Sequence, residues 1–230
     1  MNIIDCALKQ GRKTLSEYES KQILSSYHIP VTRDIIVKTQ TEAIAAAGEI
    51  GYPVVMKVCA ADITHKTEKG LVRTDIRNEQ EAVDAFDEIV KGAGAGSDAS
   101  VLVQEMIKGK RELVAGLIRD PQFGHCVMFG LGGIFTEIIE DVTFRLAPLE
   151  RKDALEMIEE VKAHRILGQV RGMPQVDMDM LVDILINVGN IGVENDAINE
   201  IDINPLIING NKPVAVDALV VLRQTSDALG

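Results

Sequence analysis

The chain has 230 residues, 46% of them hydrophobic, and a formal net charge of −11. That is enough apolar material for one large domain or two smaller lobes, and the acidic balance excludes nucleic acid, whose phosphates demand clustered Lys and Arg. No window approaches eighteen uninterrupted apolar residues, no basic segment leads into an apolar one at the start, and Cys6, Cys59 and Cys126 are widely spaced, so the expectation is a cytoplasmic protein with reduced thiols and no membrane span.

In chain order, residues 1–13 are polar and weakly patterned. Ser16-Glu-Tyr-Glu19 reads as a capping box opening a helix to about Tyr27, with Ile23 and Leu24 inward, and Pro30 stops it. Asp34–Lys38 is a short strand, Thr41–Ile50 an alanine-rich helix ended by Gly51, and Pro53–Val58 a strand. A polar loop runs through Lys69, Gly70–Asp75 is a strand and Glu79–Lys91 a helix. Gly92-Ala-Gly-Ala-Gly-Ser97 reads as a linker between lobes, since no strand precedes it as a phosphate cradle would need. Then come β-rich runs at Val101–Met106, Glu112–Arg119 and Cys126–Phe129, and helices at Lys152–Ala163 and Met178–Ile191. The plan is α+β and two-lobed: an N-terminal extension 1–13, lobes 14–98 and 99–223, and a tail 224–230.

The closing stretch, Glu200-Ile-Asp-Ile-Asn-Pro205 followed by Pro213-Val-Ala-Val-Asp217, carries the strongest chemical signal. Side chains alternate along a strand, so Glu200, Asp202 and Asn204 share one face and Ile201 and Ile203 the other. Asn209-Gly210-Asn211 signals a hairpin turn. A Gly210-Asn211 loop sets Asn204 opposite Asp217, whereas an Asn209-Gly210 loop sets Asp202 there. Either register gathers oxygen ligands suited to magnesium, which keeps part of its shell for water and phosphate. An ordinary solvated acidic face is the plainer alternative.

Elsewhere, Lys57 lies on a strand face with Val55 and Cys59, as a solvated edge residue or as a point charge for a phosphate. Thr64-His-Lys-Thr-Glu-Lys-Gly70 is a polar loop in which glycine permits close backbone approach to phosphate, and His65 is the histidine best placed for such chemistry. His28, His125 and His164 read as structural. Phe129-Gly-Leu-Gly-Gly133 has neither dinucleotide-binding nor P-loop spacing, and Glu137, Asp141 and Arg145 follow it. No hydrolase motif is present.

Together the chain resembles the ATP-grasp subunit of ADP-forming acyl-CoA synthetases, the acetate–CoA ligase relatives of succinyl-CoA synthetase. The resemblance rests on Tyr27-His-Ile-Pro-Val31, Gly51-Tyr-Pro-Val-Val-Met-Lys57, His65-Lys-Thr-Glu-Lys-Gly70, Gln104-Glu-Met106, Glu112-Leu113, Arg119-Asp-Pro-Gln-Phe-Gly124, Phe129-Gly-Leu-Gly-Gly133, Phe144-Arg-Leu-Ala-Pro148, Arg171-Gly172 and Glu200-Ile-Asp-Ile-Asn-Pro-Leu206. It implies an ATP-grasp fold with ATP and magnesium held between antiparallel sheets. By position it assigns Lys57 to the phosphates, Glu105, Met106 and Ile107 to adenine, and Glu112 to ribose. Asn204 and Asp217 match magnesium ligands. Glu200 or Asp202 matches the acid that steadies a phosphohistidine, Arg145 lies where a cation stabilises the transferring phosphoryl group, and His65 aligns with an additional phosphoryl carrier. The sequence departs from the family pattern at Leu71 after the loop glycine, at His28 where glycine is usual, and at His125 where proline is common.

The family's CoA-binding and phosphohistidine domains are not in these residues, so the resemblance implies a β-type subunit working with an α-type partner, as α2β2. A stand-alone ATP-grasp carboxylate–amine ligase would share Lys57 and the hairpin without a histidine carrier. A nucleotide-sensing module would bind ADP or ATP without turnover.

Overall fold

A computed structural model of the chain describes residues 2–59, 71–94, 100–132 and 141–223. The chain forms two compact units, the smaller from Ser16–Tyr18 and Thr32–Met106, the larger from residues up to Leu15, from Glu19–Val31 and from Ile107 onward. Two helices open it. α1 (Ile3–Lys9) is capped by the Asn2 side chain and buries only Ile4 and Ala7, too little for residues 1–13 to show a readable period. α2 (Glu17–Ser26) starts where the Ser16 signal places it and buries Ile23 and Leu24 in the larger unit's core. It ends in a Schellman motif, with the His28 amide donating to Ser25 O and the Ile29 amide to Leu24 O. That geometry puts His28 at φ 60°, which explains the family's glycine: a side chain in the left-handed region costs about 1 kcal/mol or more.

In the smaller unit, β1 (Asp34–Val37), β2 (Val54–Cys59), β3 (Val72–Ile76) and β4 (Ser100–Glu105) make an antiparallel sheet in the order β1-β4-β2-β3. α3 (Gln40–Ile50), with a Thr39–Glu42 capping box, and α4 (Glu79–Ala93), capped by Asn78, pack on one face. Alternation along β2 buries Val54, Met56 and Val58 there with Ala43, Ala47, Phe86 and Ile89. Val55, Lys57 and Cys59 take the other face.

The expected lobe boundaries are corrected. The strand after the glycine-rich linker, β4, runs between β1 and β2, so the chain leaves the smaller unit only after Met106 rather than at 98/99. Of the described residues from 14 to 31, only Ser16–Tyr18 group with the smaller unit. A hydrophobic run such as 101–106 fixes a strand but not its partners, which lie far off in sequence.

The larger unit is built on β5 (Glu112–Asp120), β6 (Gly124–Leu131), β7 (Val142–Leu146), β8 (Ile198–Asn209), β9 (Lys212–Ala215) and β10 (Ala218–Leu222). Their order is β10-β8-β5-β6-β7, with β9 continuing the β10 edge of β8. α5 (Arg151–Glu160), a 3-10 turn at His164–Leu167 and α6 (Met178–Glu194) contribute to its core, where Leu117, Val127, Phe129, Ile201 and Ile203 meet Leu185 and Val188. Gly192 lets α6 lie close to β5: a Cβ there would stand 2.5 Å from Leu117 Cδ1. α5 ends earlier than the expected 163, and the buried Asp141 carboxylate receives the Lys162 and Ala163 amides at 2.9 and 3.1 Å. Among the described residues no helix is long and apolar enough to cross a membrane.

Candidate functional site

The closing ribbon settles the register. Asn209 pairs with Lys212 and Leu206 with Ala215, the Val216 amide donates to Pro205 O at 3.0 Å, and Ala218 pairs with Ile203. The loop is therefore Gly210-Asn211, with Gly210 at φ 64°, and Asn204 falls opposite Asp217. On its other edge β8 carries a bulge: Asn204 and Pro205 together oppose Val114, between the Leu113–Leu206 and Ala115–Ile203 pairs. The inward set consequently changes parity, Ile201 and Ile203 before the bulge and Leu206 and Ile208 after it.

Glu200 and Asp202 occupy the face opposite Ile201 and Ile203. Burial is the largest influence on Asp202, followed by the charges of Glu200 and Asp217, and its carboxyl is pushed up to about 6. The three carboxylates are thus within electrostatic reach of one another. Among the described residues no group of three or more His, Cys, Asp or Glu side chains is arranged to hold a metal ion. One carboxylate and one carboxamide, Asp217 and Asn204, remain a fitting donor set for magnesium, which takes one or two protein oxygens and completes its shell with phosphate and water.

Arg111, which the sequence reading passed over, supports this ribbon. Its buried guanidinium donates to Ile166 O, Gly168 O and, at 3.0 Å, to Gly210 O. Burial lowers its pKa, and the three carbonyls are its compensation. The Asp177 amide also donates to Asn211 O at 2.8 Å, so both loop residues are held.

Lys57 is not a solvated edge residue. It sits on a central strand, registered against Leu102 and Val72, and its ammonium meets Glu17 Oε1 at 2.8 Å with both side chains buried. Glu105 ends β4 and accepts from Arg33 Nε at 3.3 Å, and the chain passes from one unit to the other at Met106 and Ile107. Glu112 opens β5 with an exposed side chain. His65 and Gly70 lie outside the described residues, as does Glu137.

Arg145 is not brought to the acidic face. Its register partner Val127 pairs in turn with Leu117, and Leu117 with Ile201, all of them core-facing. The Asp202 row runs instead through Gly116, Met128 and Phe144. Arg145 forms an ion pair with Glu160 of α5, on the opposite side of the sheet from Asp202. The phosphoryl-stabilising role expected for it has no support in this placement.

Residues 6–222 match the ATP-grasp domain family, to which the chain belongs. Within it the chain falls among the β-type subunits of ADP-forming acyl-CoA synthetases, in the succinyl-CoA synthetase superfamily. It is 45% identical over 218 residues to the β subunit of acetate–CoA ligase [ADP-forming] I of Pyrococcus furiosus, covering 93% of this chain and 94% of that one. Acetyl-coenzyme A synthetase 1 of Ca. Korarchaeum cryptofilum, solved with coenzyme A, Ca-AMPCP and HgCl+, is 43% identical with a TM-score of 0.91, covering 96% and 98% of the two chains. The same enzyme with coenzyme A and Mg-AMPPCP, its phosphohistidine segment pointing towards the nucleotide binding site, gives 44% identity and a TM-score of 0.85 with the same coverage.

Proposed function

We propose that this chain is the nucleotide-binding subunit of an ADP-forming acyl-CoA synthetase, interconverting acyl-CoA, ADP and phosphate with the carboxylic acid, CoA and ATP. The observation that carries the reading at the level of the site is the ribbon register, which sets Asn204 opposite Asp217 beside Glu200 and Asp202. Bound magnesium, held by Asn204 and Asp217, would supply charge neutralisation and orientation of the phosphates. Lys57 contributes a second positive charge to them. Glu105, Met106, Ile107 and Glu112 hold the nucleoside, as the family resemblance implies. His65 keeps the carrier role that the same resemblance implies, and Gly70 permits the close backbone approach to phosphate read from its polar loop.

Phosphoryl transfer needs a nucleophile that is also a tolerable leaving group, and a histidine on a partner chain meets both demands. Asp202 or Glu200 accepts the imidazole N–H of that histidine, so the other ring nitrogen attacks the γ-phosphorus while the bond to the β-phosphate oxygen breaks and ADP leaves. The partner is an α-type chain bearing the CoA-binding and phosphohistidine domains, in an α2β2 assembly working in the cytoplasm.

The test is co-expression with an α-type chain, followed by ATP formation from ADP, phosphate and a panel of acyl-CoA thioesters. ATP formation that requires both chains and releases CoA supports the reading. ATP-driven ligation of an amine without CoA would replace it by the carboxylate–amine ligase.

A further inference from the structure

The strand face that carries Lys57 receives an ionisable group for which phosphate binding alone has no use. Glu17, the first residue of α2, lies 40 positions away in sequence and sets Oε1 2.8 Å from Lys57 Nζ. Their side chains are only 2% and 8% exposed. The chain delivers this carboxylate through Ser16–Tyr18, three residues that group with the smaller unit while their flanks group with the larger. On the sheet itself the residues registered against Lys57 are Leu102 and Val72, both apolar.

A buried ion pair is weak evidence for stability, since an apolar pair of similar volume often serves the fold as well or better. Its value here lies in what it does to the lysine. Lysine is a point charge on a flexible four-carbon stem, and an ammonium in an apolar setting is disfavoured unless an anion stands beside it.

The geometry points to Glu17 as the positioning residue for Lys57: its carboxylate fixes the place of the ammonium before nucleotide arrives, so that phosphate binding need not order the side chain. The inference rests on the reading of Lys57 as a phosphate ligand. Glu17 itself touches no phosphate and acts through the lysine.

The experiment is a double-mutant cycle on the full chain, with ADP affinity measured by titration calorimetry in the presence of magnesium. Glu17→Gln should weaken ADP binding roughly three- to ten-fold, the scale of ordering one long side chain, and Glu17→Asp should recover part of that loss. Lys57→Met should weaken binding at least as much, and Glu17→Gln added to Lys57→Met should change nothing further. Losses that multiply in the double variant, or full affinity in Glu17→Gln beside a weakened Lys57→Met, would overturn the positioning role while leaving the Lys57 reading intact. Full affinity in Lys57→Met would remove Lys57 from the phosphate site and the inference with it. Should Glu17→Gln not fold by circular dichroism, Glu17→Asp carries the cycle: a loss that vanishes in the Lys57→Met background supports the role, and an additive loss or none overturns it.

Discussion

Neutralising Asp202 should stabilise the protein while removing its use in phosphoryl transfer. Burial, reinforced by the charges of Glu200 and Asp217, raises its carboxyl from 3.8 to about 6. The folded chain therefore holds this proton more tightly than the unfolded one. The resulting stabilisation is complete below pH 3.8 and is lost as pH rises through about 6. The gap between the two values corresponds to about 3 kcal/mol at most, and because Asp202 keeps part of its surface in water the discounted figure is about 1–2 kcal/mol. Asp202→Asn keeps the shape and removes the charge, so at pH 8 it should gain that amount, a rise of about 2–8 °C in Tm for a chain of this size. Scanning calorimetry of both proteins without divalent cations, at pH 8 and again near pH 4, reads the effect, which should be nearly gone at the lower pH. A variant no more stable than wild type at pH 8, or a gap that persists unchanged at pH 4, would refute the reasoning. Assembled with an α-type chain, the stabilised variant should transfer phosphate poorly, the trade expected where a charge is buried for function.

Three further outcomes follow from the geometry. His28→Gly removes a side chain from the left-handed position of the Schellman motif and should raise stability in urea denaturation by about 1 kcal/mol; no gain would contradict the assigned strain. Gly116→Ala should cost about 1–3 kcal/mol in the same assay, because a Cβ there would stand 2.5 Å from Ile201 O and force β5 from β8; a neutral result would contradict the close approach. Arg145→Gln should leave ADP affinity unchanged and lower stability by at most about 1 kcal/mol, the worth of a partly exposed ion pair; a large loss of ADP binding would return Arg145 to the site.

The parts legible in the sequence are those governed by local rules. The alternation of Glu200, Asp202 and Asn204 against Ile201 and Ile203, and the turn at Asn209-Gly-Asn, are properties of a dozen consecutive residues, and the ribbon follows them. Choosing between the two registers required the pairing itself, and the bulge at Asn204-Pro205 is visible only against Val114 of a strand ninety residues away. The placement of β4 was likewise beyond local reading, because a run buried on both faces fits the middle of either sheet. The role of Arg145 came from the resemblance alone, and local pattern could not correct it: Val142, Phe144 and Leu146 alternate as an inward face would, yet Phe144 and Leu146 are exposed and Arg145 pairs with buried Val127. Glu17 reads locally as part of a helix start and acquires its other role from a lysine 40 residues on. Arg111 binds three carbonyls that no motif announces.

Asn204 of β8 and Asp217, between β9 and β10, are held to seat the metal accompanying the nucleotide, and the magnesium dependence of ADP affinity tests this most directly. Wild type should bind ADP more tightly as magnesium is added, whereas Asp217→Ala, folded by circular dichroism, should keep its metal-free ADP affinity and lose the enhancement. An Asp217→Ala chain that still gains from magnesium as the wild type does would contradict it.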